Sequence, residues 1–179
     1  MFEHIQKIDQ RFLQYMGRIH RPILTRIMIA ASSACNLGLI WWAVCLLFLL
    51  YSPWRYTGFC FVAGLAIAHL MGEIIIKHLV RRTRPCHLLE DEEQLLRRPR
   101  FYSFPSGHAA ASFAMVGVAS LRCRLITFLP IMALSSLIGF SRLYLRVHYL
   151  TDVVLGAVLG FSCGLLAVHI MNVFLPALP

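Results

Sequence analysis

The sequence predicts an all-α protein: a polytopic membrane bundle of about five transmembrane helices, preceded by one or more interfacial helices. Three observations carry this. Hydrophobic residues make up 59% of the 179-residue chain, and mean hydropathy is +0.70. Only 14% of residues are charged, where a soluble domain carries about a quarter. The apolar residues also fall in long runs, close to the ~20 residues a helix needs to span a bilayer, separated by short polar or proline-bearing turns. The length fits one domain, with 1–34 as an N-terminal interfacial region and 35–179 as the transmembrane bundle. The first residues, MFEHIQKIDQR, lack the apolar core of a cleavable signal, so the N-terminus is expected to be retained.

The elements follow in order. From Phe2 to Ile19, apolar residues recur at helical spacing (Phe2, Ile5, Ile8, Phe12, Tyr15, Met16, Ile19), with Lys7, Arg11 and Arg18 opposite. This pattern predicts an amphipathic helix lying in the membrane interface. The run Ile23 to Ser33 is too short and polar to cross alone and reads as a second interfacial helix or the tilted start of the next. Leu37 to Tyr51 forms the core of the first crossing; Tyr51, Trp54 and Tyr56 form an aromatic belt beyond it, and Pro53 marks the turn. The second crossing, roughly 57–80, contains His69, Glu73 and Lys77, which a lipid-facing helix would not tolerate. Glu73 and Lys77 stand one turn apart and are placed to pair, with Glu73 as a counter-ion.

A polar loop, 86–104, carries Glu90, Asp91, Glu92 and Glu93 and then Arg97, Arg98 and Arg100; it reads as a solvated face or as a lid over charged headgroups. The third crossing begins at Ser106 and runs to about Leu121, the fourth covers roughly 126–145, and the fifth starts near His148 and ends near Leu175. Gly156, Gly160 and Gly164 form two G-x-x-x-G steps in register with His148 and Asp152, a stripe that predicts close packing against a neighbour.

Net charge is +9, and most of the 17 basic residues lie before Arg26 or between Lys77 and Arg100. Such clustering suits an anionic membrane surface and phosphorylated lipid headgroups. Nucleic acid is not expected as a partner, because no basic-aromatic soluble module is present. The six cysteines show no C-x-x-C spacing and read as small core residues, forming neither a disulfide framework nor a zinc site.

Three stretches carry chemistry. Ser141 to Asp152, SRLYLRVHYLTD, sets His148 and Asp152 at i and i+4, on one face if helical. A carboxylate bonded to one imidazole nitrogen fixes the tautomer and leaves the other nitrogen as a nucleophile. Arg142 adds a planar, permanently charged fork suited to phosphate oxygens. In KHLVRRTRP, Lys77 and Arg84 are two turns apart and reach one site if the helix continues to Pro85. In YSFPSGH, Ser106 and Gly107 open a helix, where free N–H groups and the dipole favour an anion. In alternating topology the helix ends bearing these stretches share one side of the membrane.

Lysine-x6-arginine-proline, then proline-serine-glycine-histidine, then serine-arginine-x5-histidine-x3-aspartate resembles the signature of the type 2 phosphatidic acid phosphatase (PAP2) superfamily, with every position filled from Lys77 to Asp152. The resemblance implies a single PAP2-like membrane domain over 1–179, similar to compact bacterial lipid phosphatases. It implies that His148 attacks phosphorus to form a phosphohistidine, oriented by Asp152, and that His108 protonates the leaving oxygen and then activates water. Lys77, Arg84, Ser106, Gly107 and Arg142 would hold the phosphate. Three fixed cations replace the charge neutralisation a metal supplies elsewhere, so no metal and no cofactor are expected. The family's substrates include polyprenyl diphosphates such as undecaprenyl diphosphate, phosphatidic acid and phosphatidylglycerol phosphate.

Two other classes compete. A phospholipid or phosphate carrier would use the cage without hydrolysis, but would not need both His108 and the His148–Asp152 pair. A vanadium haloperoxidase shares the cage but is larger and soluble. Outside the motifs, His4, His20, His69, His78, His87 and His169 read as structural or interfacial. Arg81, Arg82 and Arg146 read equally as headgroup attraction or surface charge. The charge rule alone would place the site side, with eleven basic residues besides the cage against Arg55, Arg122 and Arg124, in the cytoplasm. Resemblance to bacterial relatives favours the outer face of the cytoplasmic membrane.

Overall fold

The structure, a computed structural model, describes residues 2–89, 95–96 and 102–175. The charge run Glu90–Glu93 and Arg97, Arg98 and Arg100, read as a solvated face or lid, lies outside the described residues. Among these residues all regular structure is helical: α1 (Phe2–Arg18), α2 (Pro22–Ala34), α3 (Leu39–Leu50), α4 (Arg55–His69), α5 (Lys77–Val80), α6 (Gly107–Arg122), α7 (Leu125–Tyr144) and α8 (Leu150–Phe174). A π-helical segment, Leu70–Ile76, joins α4 to α5 without a break.

Among the described residues three helical stretches are long and apolar enough to cross a membrane: Ser52–Val80, Leu125–Tyr144 and Leu150–Phe174. The first expected crossing is a bent pair, Pro22–Ala34 with Asn36–Leu50, turned by 52° at the break and counted as a fourth if it forms one span. The run after Pro22 is thus a helix of its own, Pro22–Ala34, joined to the next at a sharp bend. The break sits where Leu37 (φ 53°) and Gly38 (φ 72°) take left-handed backbone, which interrupts the i→i−4 ladder. The expected third crossing, α6, has 16 residues and is the most buried helix, so its neighbours rather than lipid cover it.

α6 packs most extensively on α8, then on α7 and α4. The glycine stripe explains the first contact. A Cβ at Gly156 would sit 2.8 Å from the Ser106 carbonyl oxygen, and Cβ atoms at Gly160 and Gly164 would collide with the carbonyls of Ala110 and Ala114. Backbone-to-backbone contact of this kind requires small residues. The seam is closed at its site end by a hydrogen bond from the Ser106 N–H to the Asp152 carbonyl, 3.0 Å. Below it, Trp41, Phe61, Met115, Val118 and Ile138 form the largest apolar core. Within that core the Trp41 Nε1–H donates to Ser112 Oγ at 3.0 Å, and the Ser135 hydroxyl donates to the Ser112 carbonyl at 2.9 Å. All six cysteines are free thiols.

The N-terminal pair is tied to the same end of the bundle. α2 lies along α7, and α1 touches α7 and α8. Tyr144 is wholly buried; its hydroxyl accepts from the Arg21 N–H at 2.9 Å and pairs with Thr25 Oγ1 at 2.9 Å, while His20 Nε2 meets its carbonyl at 2.8 Å. Of α1, Ile5, Ile8 and Tyr15 are exposed, on the apolar side that the sequence assigns to the membrane interface.

Candidate active site

Each motif reaches the site by a different local device. Helix α5 ends at Val80 because Arg81 adopts left-handed backbone, φ 49°. Lys77 therefore projects from a helix, whereas Arg84 arrives on an extended segment, φ −75° and ψ 147°. The helix thus ends at Val80, where the second crossing was expected to end, and Lys77 and Arg84 share the site without its continuing to Pro85: the residue before a proline is pushed out of the α region, and Arg84 precedes Pro85. The fifth helix likewise begins at Leu150, so His148 lies in the turn before it, after Arg146 in left-handed backbone (φ 55°). Asp152 is N3 of α8 and accepts from the Tyr149 N–H at 2.9 Å, half of a capping box. Helix-start chemistry, rather than a shared helical face, sets the relation of His148 to Asp152.

One cavity of about 1010 Å³ is lined by Lys77, Arg84, Gly107, His108, Arg142 and His148. Six of the eight predicted site residues, from five separate segments of the chain, thus meet in one place. The other two stand behind it. Ser106 is fully buried and its oxygen caps α6 by accepting from the Ala109 N–H at 3.5 Å. Asp152 is also fully buried.

The geometry fixes the His148 tautomer. Arg84 Nη1, which can only donate, sits 2.9 Å from His148 Nε2. Nε2 therefore carries its lone pair and the proton resides on Nδ1. Nδ1 faces Asp152 Oδ2 at 3.7 Å, too long for a hydrogen bond. The pairing expected of these two residues is electrostatic rather than hydrogen-bonded here. Asp152 spends its bonds elsewhere: Oδ1 accepts from Arg82 Nη1 at 2.6 Å, and Oδ2 accepts from the Ser103 hydroxyl and the Tyr149 N–H. Burial pushes the His148 imidazole down to about 3; Asp152 pulls the other way, and the Arg84 and Arg142 charges add to the depression. At neutral pH His148 is an uncharged imidazole with its Nε2 lone pair beside the cations, as a nucleophile toward phosphorus requires.

His108 Nε2 and Arg142 Nε are buried without a hydrogen-bond partner among the described residues. Arg142 Nη1 donates to the Ser32 hydroxyl, and Arg84 Nη1 also reaches the Val147 carbonyl at 3.1 Å. Lys77 is ion-paired with Glu73, as the sequence suggests. The Glu73 carboxylate lies directly over Gly107, where a Cβ would overlap it.

Several lining residues escape sequence reasoning. His69, set aside as structural, lines the cavity, as do Asn36 and Trp42. Arg82, read as flanking charge, bridges Asp152 to Asp9 of α1, with Nη2 donating to Asp9 Oδ2 at 2.7 Å. Asp9 is 1% exposed. Its signal was available: a carboxylate among Ile5, Phe12 and Met16 on an apolar helix face needs a buried partner.

A match to the PAP2 superfamily spans residues 56–175. The chain belongs to the PAP2 superfamily, and its apolar helices mark it as an integral membrane protein. It is 30% identical over 133 residues to the undecaprenyl-diphosphatase of Sulfolobus acidocaldarius, covering 73% of this chain and 63% of that relative's length. It is 28% identical over 172 residues to the lipid A 4'-phosphatase of Bacteroides thetaiotaomicron, covering 89% of this chain and 75% of the relative. The fold superposes on the crystal structure of Aquifex aeolicus LpxE with TM-score 0.78 and 23% identity, over 90% of this chain and 94% of that one.

Proposed function

We propose that this protein is a lipid phosphatase that releases inorganic phosphate from an anionic lipid headgroup through a phosphohistidine on His148. The observation that carries the reading is the single cavity in which a neutral imidazole lone pair, a second histidine and three cations meet.

In the first step His148 Nε2 bonds to phosphorus as the phosphorus–oxygen bond to the lipid breaks. His108, from the facing helix start, gives its proton to the leaving oxygen. Asp152 supports the charge that grows on the His148 ring. In the second step His108 takes a proton from water, the resulting oxygen attacks phosphorus, and the phosphorus–nitrogen bond breaks to free phosphate and His148. Lys77, Arg84, Arg142 and the Gly107 N–H neutralise the equatorial oxygens. Ser106 acts chiefly by holding the start of α6, with its hydroxyl proton available to the anion. Because the cations are built into the chain, the reaction proceeds without a metal.

A polyprenyl diphosphate is the first substrate to test, with phosphatidic acid and phosphatidylglycerol phosphate beside it; the similarity to an undecaprenyl-diphosphatase supports that order. The reading puts the site at the outer face of a bacterial cytoplasmic membrane, and the resemblance to bacterial relatives supports it. A cysteine at Glu90, labelled from outside intact cells by an impermeant thiol reagent, tests this; labelling only after lysis puts the site inside.

The deciding experiment is phosphate release by purified protein across these three lipids, with and without chelator. Release unaffected by chelation, and reduced at least ~10³-fold in His148→Ala, is the expected result. Binding of the lipid without release, or release that survives His148→Ala, contradicts the reading.

A further inference from the structure

We propose that Asp9 of α1 is a positioning residue for phosphoryl transfer, acting through Arg82 on Asp152 and thence on His148; this rests on the phosphatase reading above. The relay is continuous. Arg82 shares its guanidinium between two carboxylates: Nη1 donates to Asp152 Oδ1 at 2.6 Å and Nη2 to Asp9 Oδ2 at 2.7 Å. Asp9 is held in turn by the first turn of α8, with Oδ1 accepting from the Thr151 N–H at 3.0 Å and Oδ2 from the Thr151 hydroxyl at 2.6 Å. The same hydroxyl accepts from Arg82 Nη1 at 2.8 Å. The guanidinium lies 4.0 Å over the Tyr149 ring, which fixes its plane. Every lone pair so engaged orients the one carboxylate that faces His148 Nδ1.

Charge gives the relay a role beyond scaffolding. Asp9, Arg82 and Asp152 together carry one net negative charge beside the His148 ring. As Nε2 bonds to phosphorus the ring gains positive character, and that negative charge favours the change. Neutralising Asp9 leaves Arg82 and Asp152 as a balanced pair, which withdraws the support from the transition state while leaving the phosphate cage intact. The effect therefore falls on kcat rather than KM.

The test compares the parent, Asp9→Asn, Arg82→Gln and the double variant as purified, folded protein. The readouts are kcat, KM, and inhibition by vanadate, a transition-state mimic, against inhibition by inorganic phosphate. Expected are kcat losses of ~10–100-fold in Asp9→Asn, through lost negative charge, and in Arg82→Gln, where lost orientation of Asp152 outweighs the added negative charge, with a double variant no worse than the poorer single. Vanadate affinity falls with kcat, phosphate affinity changes little, and Asp9→Glu recovers part of the loss. Unchanged kcat in Asp9→Asn, additive losses, or an equal weakening of phosphate and vanadate overturns the relay. Should Asp9→Asn fail to accumulate, Thr151→Val breaks the same seat while keeping the charge; a several-fold kcat loss at constant KM supports the relay and an unchanged kcat overturns it. A parent that releases no phosphate defeats the proposed function itself, whereas an active parent matched by Asp9→Asn defeats only the relay.

Discussion

The seam between α6 and α8 and the cavity wall formed by α2, α3 and the end of α4 are built by opposite rules. The seam is regular helix in backbone contact, sealed by glycines, with His108 and His148 at its two helix starts. The wall is irregular: a 52° bend after Ala34, left-handed backbone at Leu37 and Gly38, and a π-helical stretch carrying Glu73. Non-helical backbone at membrane depth is tolerated where it lines a cavity, and π-helical turns recur at functional sites. In the proposed mechanism the two reacting histidines thus stand at the backbone-packed seam, while irregular backbone lines the rest of the cavity.

Substitutions in the two regions should differ in kind. The largest effect is expected at Gly160→Val, which drives side-chain atoms into the Ala110 carbonyl. Backbone cannot retreat from such overlap, so a loss of ~3 kcal/mol or more is expected, read as loss of folded protein in detergent. Normal stability and activity in Gly160→Val would show that the seam is looser than its geometry. Next, Leu70→Ala and Trp42→Ala, on half-exposed wall positions lining the cavity, should leave the melting temperature nearly unchanged. They should raise KM for the lipid several-fold with little change in kcat; a kcat loss equal to that of Asp9→Asn would erase the distinction between wall and seam.

A further effect concerns pH. His148 is held down to about 3 in the fold but titrates near 6.5 when unfolded. Between those values the unfolded chain binds a proton that the native site refuses, so stability falls as pH drops through this window. The slope from this one group reaches at most ~1.4 kcal/mol per pH unit. Subtracting the pH dependence of His148→Gln from that of the parent isolates it. A difference of zero between pH 6 and pH 4 would mean that His148 is not buried as neutral imidazole.

The contrast also explains what was legible in the sequence. The seam announces itself, because G-x-x-x-G steps and the Pro105–His108 and Ser141–Asp152 motifs are local patterns. Three of the five expected crossings, the second, fourth and fifth, stand as long apolar helices that hydropathy marks, and the pairing of Lys77 with Glu73 follows from their spacing. What stayed hidden depends on non-local contact. Arg82 looks like one more surface cation until Asp9, 73 residues away, is placed against it. His69 and Asn36 become cavity residues only when the α2–α3 break turns toward α4. The i, i+4 spacing of His148 and Asp152 suggested a shared helical face, but Asp152 turned out to cap the helix that starts between them. Spacing gave the right partners for that pair and the wrong geometry.

The central claim is that His148 Nε2 becomes bonded to phosphorus. Purified protein is mixed with lipid carrying ³²P in the terminal phosphate, quenched in alkali within the first turnover, digested and sequenced by mass spectrometry. Phosphate on the peptide containing His148, absent from His148→Ala and retained longer in a variant lacking His108, is the predicted result. Steady phosphate release with no label on His148 at any quench time, or with label on Ser106 instead, would contradict the account.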